Sequence, residues 1–409
     1  MKTPTPAQGP LAGVRILDLT NFGMGPYATA LMAELGAAVI KVEPAEGDPI
    51  RNVGAARHPG MSSAFLLANR NKRSLVLDLK RAEGRKVLFR LIESHDVLFF
   101  NMRPAAMDRL GLGYDQVAAA NPRIVYCSAT GFGQDGPYAD KPAFDDVIQG
   151  LAALPDLEGR LTGTPRYVPL AMVDQTVGMA AALAVLAALV SRASTGKGQA
   201  LEVPMFETMT QFVLLCHFAG QVFDPPVGPA GFVRHLTPER RPFPTRDGFI
   251  SMVPYSNAQW TRLFELMDKP ELASDARFSN LADRTRNIGE LYRIVAASMA
   301  TRTTAEWMER LAAADIPAMP MHTLETLLDD RHLWATGFFG WEDHPSEGRI
   351  RTVQPATRWA GTPPASQCPA PRLGEHSAQI LGDAGYSAAE IEALLAAGIT
   401  TVAPEVTAP

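Results

Sequence analysis

At 409 residues the chain is too long for one ordinary domain and long enough to bury a large core. Apolar residues make up 46% and charged residues 20%, the profile of a globular protein, and a formal net charge of −5 offers no overall basic field for nucleic acid. Three widely spaced cysteines, Cys127, Cys216 and Cys368, and scattered histidines form neither a disulfide framework nor a zinc spacing, which fits a reducing cytoplasm and no bound metal.

Residues 1–10 are polar and Pro-rich and lack the apolar core of a signal peptide. Residues 14–19 read as a strand, 23–26 as a turn, and 27–35 as a helix stopped at Gly36. A second strand covers 38–43 and a short third one 74–79. Residues 82–94 form an amphipathic helix with Val87, Leu88, Leu91 and Ile92 on one face. Strands follow at 96–100 and 123–127. Strands separated by helices imply βαβ units, so residues 1–215 are expected to form a large Rossmann-like α/β domain with a parallel sheet. Within it, 177–190 is an uncharged apolar run of 14 residues. A membrane span needs about 20, so the run reads as a buried helix and no membrane partner is expected.

The character changes after residue 205. Residues 224–244, rich in Pro, Gly and Arg, read as a long loop. Asp247-Gly248 introduces a strand at 249–253, and 260–267, 288–299 and 304–314 have helical spacing, which gives a smaller α+β domain over 225–335. The Pro-rich stretch 354–371 precedes a tail in which Ser387 starts a helix running to 397. This last segment, 336–409, is expected to return to the large domain.

Two local features carry chemistry. Gly23-Met24-Gly25-Pro26-Tyr27-Ala28 matches G-x-G-x-x-A between a strand and a helix, and Glu43 closes the next strand, as in an NAD-dependent oxidoreductase. Thr20-Asn21-Phe22 separate the strand from the first glycine, however, and Pro26 removes one N–H from the helix start. The spacing favours a tight turn at a helix N-terminus that could bind an anion. The second feature is Asp174, just before the apolar run. Orphan N–H groups and the helix dipole favour a carboxylate there and should keep it ionised. It reads either as a plain cap or as an anionic nucleophile.

Several segments together have a specific order. They are Leu11-Ala12-Gly13-Val14-Arg15-Ile16-Leu17-Asp18-Leu19 with Gly25-Pro26, then Leu35-Gly36-Ala37-Ala38-Val39-Ile40-Lys41-Val42-Glu43 with Gly47-Asp48 and Arg51. Asn71-Lys72-Arg73-Ser74, Asn101-Met102-Arg103-Pro104, Arg109-Leu110-Gly111 and Gly131-Phe132-Gly133-Gln134 follow, and then Asp174, Gly178 and Thr195-Gly196-Lys197-Gly198-Gln199. Over residues 11 to about 320 this resembles the class III CoA-transferases, the family of formyl-CoA:oxalate, carnitine and mesaconate CoA-transferases.

The resemblance implies an enzyme that moves CoA from an acyl-CoA thioester to a free carboxylic acid. Asp174 would be the nucleophile, passing through a mixed anhydride and an aspartyl-CoA thioester. Asp145 corresponds to an acidic residue near the family's active site. Lys72, Arg73 and Arg109 match positions near CoA, while Asn101, Met102 and Arg103 follow a strand end, where open α/β sheets bind ligands. Phe22, Gly23, Met24 and Gly25 would offer backbone N–H groups to an oxyanion. CoA would be a substrate rather than a fixed cofactor, with no metal, in a cytoplasmic homodimer of two interlocked chains.

The chain departs from the family in three places. Pro44 stands where some relatives carry Arg, the glycine-run loop of the formyl-CoA:oxalate enzymes is missing, and no His follows Gly133 as in the racemase branch. Oxalate is therefore disfavoured as a substrate, and an isomerase or racemase of the same superfamily, a silent CoA binder and the nicotinamide enzyme stand as alternatives. Cys127, and His217 beside Cys216, read as core rather than catalytic.

Overall fold

The computed structural model describes residues 9–364 and 368–404; the first eight residues of the Pro-rich start and part of 354–371 lie outside them. Six strands pair in parallel: β1 (Arg15–Leu19), β2 (Ala38–Glu43), β3 (Lys72–Val76), β4 (Val97–Phe100), β5 (Val125–Thr130) and β6 (Gln199–Pro204). Their order is β3-β2-β1-β4-β5-β6, so the winding reverses between β1 and β4. In such a doubly wound sheet the crevice at that reversal is where ligands bind.

The chain divides into two compact units. One comprises the residues up to Ala152, then Val168–Thr210 and everything from His332; the other comprises Ala153–Tyr167 and Gln211–Arg331. Residues 153–167, read from sequence as part of the large domain, belong to the second unit. That unit has its own antiparallel sheet (Phe243–Pro244, Phe249–Met252, Ala318–Pro320) and a core around Trp260, Phe264, Leu291 and Trp307. Capping boxes at Ser256/Gln259 and Thr303/Glu306 start two of its helices.

In the first unit, the pleat sorts residues to the two sheet faces. Leu17, Leu19, Ile40, Val42, Leu75 and Phe100 pack against Val87, Leu88, Leu91 and Ile92 of the helix Ala82–Ile92. The chain's end joins the same core through Ile380 and Leu381. It also bonds to the sheet edge, with Asp78 N–H to Ile399 O at 2.9 Å and Thr400 Oγ1 to Val76 O at 2.7 Å. The alternate residues point to the opposite face, where the register sets Asp18 beside Lys41 and Lys41 beside Ser74.

The first helix (Met24–Glu34) covers that face, and the long helix Met172–Thr195 packs on it in turn. The two approach closely because Gly178 has no side chain; a Cβ there would lie 2.8 Å from Met24 O. The long helix runs past both ends of the apolar run and stops at Gly196 in a left-handed conformation, φ +73°. It is long and apolar enough to cross a membrane by length and composition. The expectation of a buried helix holds for one side only: Val173, Val177, Ala181 and Val185 are buried, whereas Met179, Leu183 and Val190 are exposed. His217, expected in the core, is half-buried, and the neighbouring Cys216 is exposed.

Candidate active site

The three residues that follow β1, Thr20, Asn21 and Phe22, are each held by side chains. Asp18 Oδ1 accepts the Thr20 N–H at 2.9 Å and its hydroxyl at 2.5 Å, and Lys41 Nζ donates to Thr20 O at 2.9 Å. Asn101, just past β4, accepts the Asn21 N–H at 3.0 Å and donates to Asn21 O at 2.8 Å. Phe22 sits at φ 64°, unusual for a residue with a Cβ, and its N–H donates to Asp48 Oδ1 at 2.9 Å. Asp48 Oδ2 pairs with Lys41 Nζ at 2.8 Å.

This loop delivers Gly23 against Asp174. A Cβ on Gly23 would lie 2.4 Å from Asp174 Oδ2, so any larger residue would displace that carboxylate. The N–H groups of Gly23, Met24 and Gly25 open the first helix and have no carbonyl four residues back within it.

Asp174 lies in the first turn of its own helix, which receives no cap from the side chain of Ala171. Asp145 supplies one from outside: its Oδ2 accepts the Asp174 N–H at 3.0 Å, while its Oδ1 accepts Gln149 Nε2 at 2.6 Å. Gln149 is fully buried and also accepts the Val168 N–H at 2.9 Å, fixing the segment that leads to Asp174. Asp145 is thus a cap behind the carboxylate, not a wall of the cavity. Burial, and then the Asp145 charge, push Asp174 up to about 6. The sequence alone predicts a group kept firmly ionised by its helix start; desolvation outweighs that effect.

A cavity of about 610 Å³ opens over Asp174 at the carboxyl ends of the strands. Behind β1 it is lined by Asn21, Phe22, Gly23 and Met24, and behind β4 by Asn101, Met102, Arg103 and Arg109. Lys141, Phe144 and Met205 complete it after β5 and β6. Phe22 and Phe144 meet edge to face with centroids 5.5 Å apart, and the Lys141 ammonium lies 4.3 Å over the Tyr138 ring. Arg103 Nη1 donates to Asp140 O at 3.2 Å.

Most of the residues singled out from sequence therefore meet at this cavity, and Gly25, the second residue of the first helix, is buried under Thr20. Lys72 and Arg73 do not meet there. Lys72 is sealed in the core, with Nζ donating to Asp18 Oδ2 at 3.0 Å, Pro26 O at 2.9 Å and Asn69 Oδ1 at 2.8 Å. Burial pulls its ammonium down to about 8 against the attraction of Asp18. Burial would raise Asp18, but Lys72 and Lys41 outweigh it and hold that carboxyl well below the usual range. Arg73 pairs with Asp383 at 2.7 Å, beside Arg15 and His95 at a different cavity. Cys127 is fully buried, and burial pushes its thiol up, away from any nucleophilic role.

Sequence reasoning passes over Lys141, Phe144 and Gln149. Lys141 carries a signal: a cation in the loop after a strand, at the end where ligands bind. Gln149 carries little, because apart from Asp145 its partners are backbone groups about twenty residues away.

With the geometry in hand, comparison with known proteins is specific. A family model described as CoA-transferase family III matches residues 11–377. Succinyl-CoA:glutarate CoA-transferase of Mus musculus is 32% identical over 396 residues, 95% of this chain and 90% of that one. Succinyl-CoA–D-citramalate CoA-transferase of Chloroflexus aurantiacus is 30% identical, covering 91% of this chain and 94% of the relative. Formyl-CoA:oxalate CoA-transferase of Streptomyces avermitilis is 31% identical, covering 95% and 99%. Among solved structures, a CAIB/BAIF family protein from Brucella suis superposes with a TM-score of 0.78 at 29% identity, covering 92% of this chain and all of that one.

Proposed function

The chain belongs to CoA-transferase family III, and we propose that it moves CoA from an acyl-CoA thioester to a free carboxylic acid with Asp174 as the nucleophile. One observation carries the assignment. The Asp174 carboxylate is partly desolvated, takes no side-chain hydrogen bond among the described residues, and presses against Gly23 where the first helix begins.

Asp174 Oδ attacks the thioester carbonyl carbon; the C–S bond breaks, CoA leaves as thiolate, and a mixed anhydride forms. The thiolate then attacks the aspartyl carbonyl, the anhydride C–O bond breaks, and the donor acid departs as carboxylate. This leaves an aspartyl-CoA thioester, from which the acceptor carboxylate takes CoA by the same steps in reverse. Each addition places negative charge on a carbonyl oxygen beside the Gly23, Met24 and Gly25 N–H groups, which point along the helix dipole. Asp145 acts through the backbone, keeping the Asp174 helix start in place. Arg103, Arg109 and Lys141 would take the CoA phosphates, for which guanidinium groups suit bidentate contact.

Several relatives are named for succinyl-CoA, and this supports a short dicarboxylic acyl-CoA as donor. The departure from the formyl-CoA:oxalate loop agrees with that choice. CoA is a co-substrate, with no fixed cofactor or metal. The exposed apolar side of the Asp174 helix supports a homodimer, which we place in the cytoplasm.

The test is intact-protein mass spectrometry after mixing with succinyl-CoA and other short dicarboxylyl-CoAs, with hydroxylamine trapping. A CoA or hydroxamate adduct on Asp174, absent in Asp174→Ala, is the expected result. Tight binding of CoA esters with no adduct from any donor would move the assignment to an isomerase or a silent binder.

A further inference from the structure

The turn that brings Gly23 to Asp174 is held open from behind. Phe22 adopts a left-handed conformation that its own side chain disfavours, and its ring is exposed, so packing of the ring does not force it. What does hold it is the bond from its N–H to Asp48 Oδ1, which also accepts the Ile50 N–H at 3.0 Å. Asp48 is itself fully buried and locked by Lys41, whose Nζ reaches both Asp48 Oδ2 and Thr20 O. A buried ion pair is seldom more stabilising than apolar residues of the same volume. Here the pair has a positional role, since both partners hold backbone atoms of the same three-residue loop, one on each side.

We propose that Asp48 is a positioning residue for the transfer reaction: by accepting the Phe22 N–H it fixes the left-handed turn that presses Gly23 and the first helix's free N–H groups onto the Asp174 carboxylate. Lys41 neutralises the buried Asp48 carboxylate; its bond to Thr20 O is secondary, because Asp18 already holds the Thr20 N–H and hydroxyl. The proposal rests on Asp174 being the nucleophile. It predicts that Asp48 acts on the chemical step and on the desolvation of Asp174, not on CoA affinity, because it does not line the cavity.

The experiment is steady-state kinetics of Asp48→Ala with the acyl-CoA donor over a range of pH, beside the hydroxylamine trap on the unsubstituted enzyme. With the turn released, kcat falls by about 30-fold or more while KM for the acyl-CoA stays within about twofold. The acid limb of the pH profile also moves from near 6 toward the ordinary carboxylate value, about 4, as water reaches Asp174. A purely structural loss would lower the amount of active enzyme and leave that limb in place.

Because Asp48→Ala leaves Lys41 buried without its partner and could prevent folding, the neutral pair Lys41→Met/Asp48→Asn provides a second arm. It removes both charges and keeps an amide oxygen for the Phe22 N–H, so kcat is expected within about fivefold of the parent, with the limb unmoved. A folded Asp48→Ala enzyme with parental kcat and limb overturns the proposal. So does a double variant whose kcat falls by about 30-fold or whose limb drops. If the unsubstituted enzyme forms no adduct at Asp174, both readings fall together. If it forms the adduct and Asp48→Ala behaves as the parent, only this one falls.

Discussion

Burial and the Asp145 charge push Asp174 up to about 6, close to neutrality. With Asp174 as the proposed nucleophile the attacking form is the carboxylate, so kcat/KM should be flat above about pH 7 and fall about tenfold per unit below 6. Replacing Asp145 with Ala removes the like charge and the cap together. The acid limb should move down, and urea denaturation should show a loss of about 1 kcal/mol. Asp174→Asn tests the same environment through stability. The folded value lies above the unfolded one, so the protonated form is favoured in the fold: the penalty is absent below about pH 4, grows between 4 and 6, and is complete above 6. The variant should therefore melt higher than the parent at pH 8, by up to about 2–3 kcal/mol, and equally at pH 4. Asp174 stood out in the sequence as a single carboxylate before a long uncharged run, but only the family resemblance distinguished a nucleophile from a plain helix cap. The burial of Lys72 was not legible, because its partner Asp18 is 54 residues away and only strand pairing brings them together. Lys72→Met would leave Asp18 buried and charged without its ion-pair partner, with only Thr20, Thr29 and the more distant Lys41 to offset it, and should cost about 3–5 kcal/mol.

Between elements, two glycines set the geometry, with opposite consequences. At Gly23 a methyl group meets the Asp174 side chain, whereas at Gly178 it meets backbone, Met24 O. Gly23→Ala should thus abolish most activity, about a hundredfold or more in kcat, and change the melting temperature little. Gly178→Ala must push two helices apart, and should cost about 1–3 kcal/mol in chemical denaturation. The strands at 38–43 and 96–100 were readable because 97–100 runs apolar and 38–43 is rich in Val and Ile, with both faces of each buried. Strand β6 was not, since it lies at the sheet edge with Gln199, Ala200 and Glu202 exposed, so neither period appears. The hairpin Phe339–His344 and Gly348–Val353 escaped for a similar reason: Arg349 and Arg351 lie exposed near Trp341 and carry no apolar alternation.

The exposed side of the Asp174 helix bears on assembly. Met179, Leu183 and Val190 form an apolar line on a helix whose other side is core. If two chains cover that line, Leu183→Glu should shift the protein from dimer to monomer in analytical ultracentrifugation while leaving its circular dichroism unchanged. The α/β class and the run of βαβ units could be read from the chain. The return of the last seventy residues was expected, but the bonds that secure it could not be read. Those bonds join Ser74 to Gly374, Val76 to Ser377 and Val76 to Thr400, across separations of 300, 301 and 324 residues. Such distant closure makes the sheet a late product of biosynthesis. While the ribosome is still translating the middle of the gene, the β3 edge is bare. A chain stalled or cut before residue 374 leaves that edge open to other strands, and so becomes a client for chaperones or a seed for aggregates.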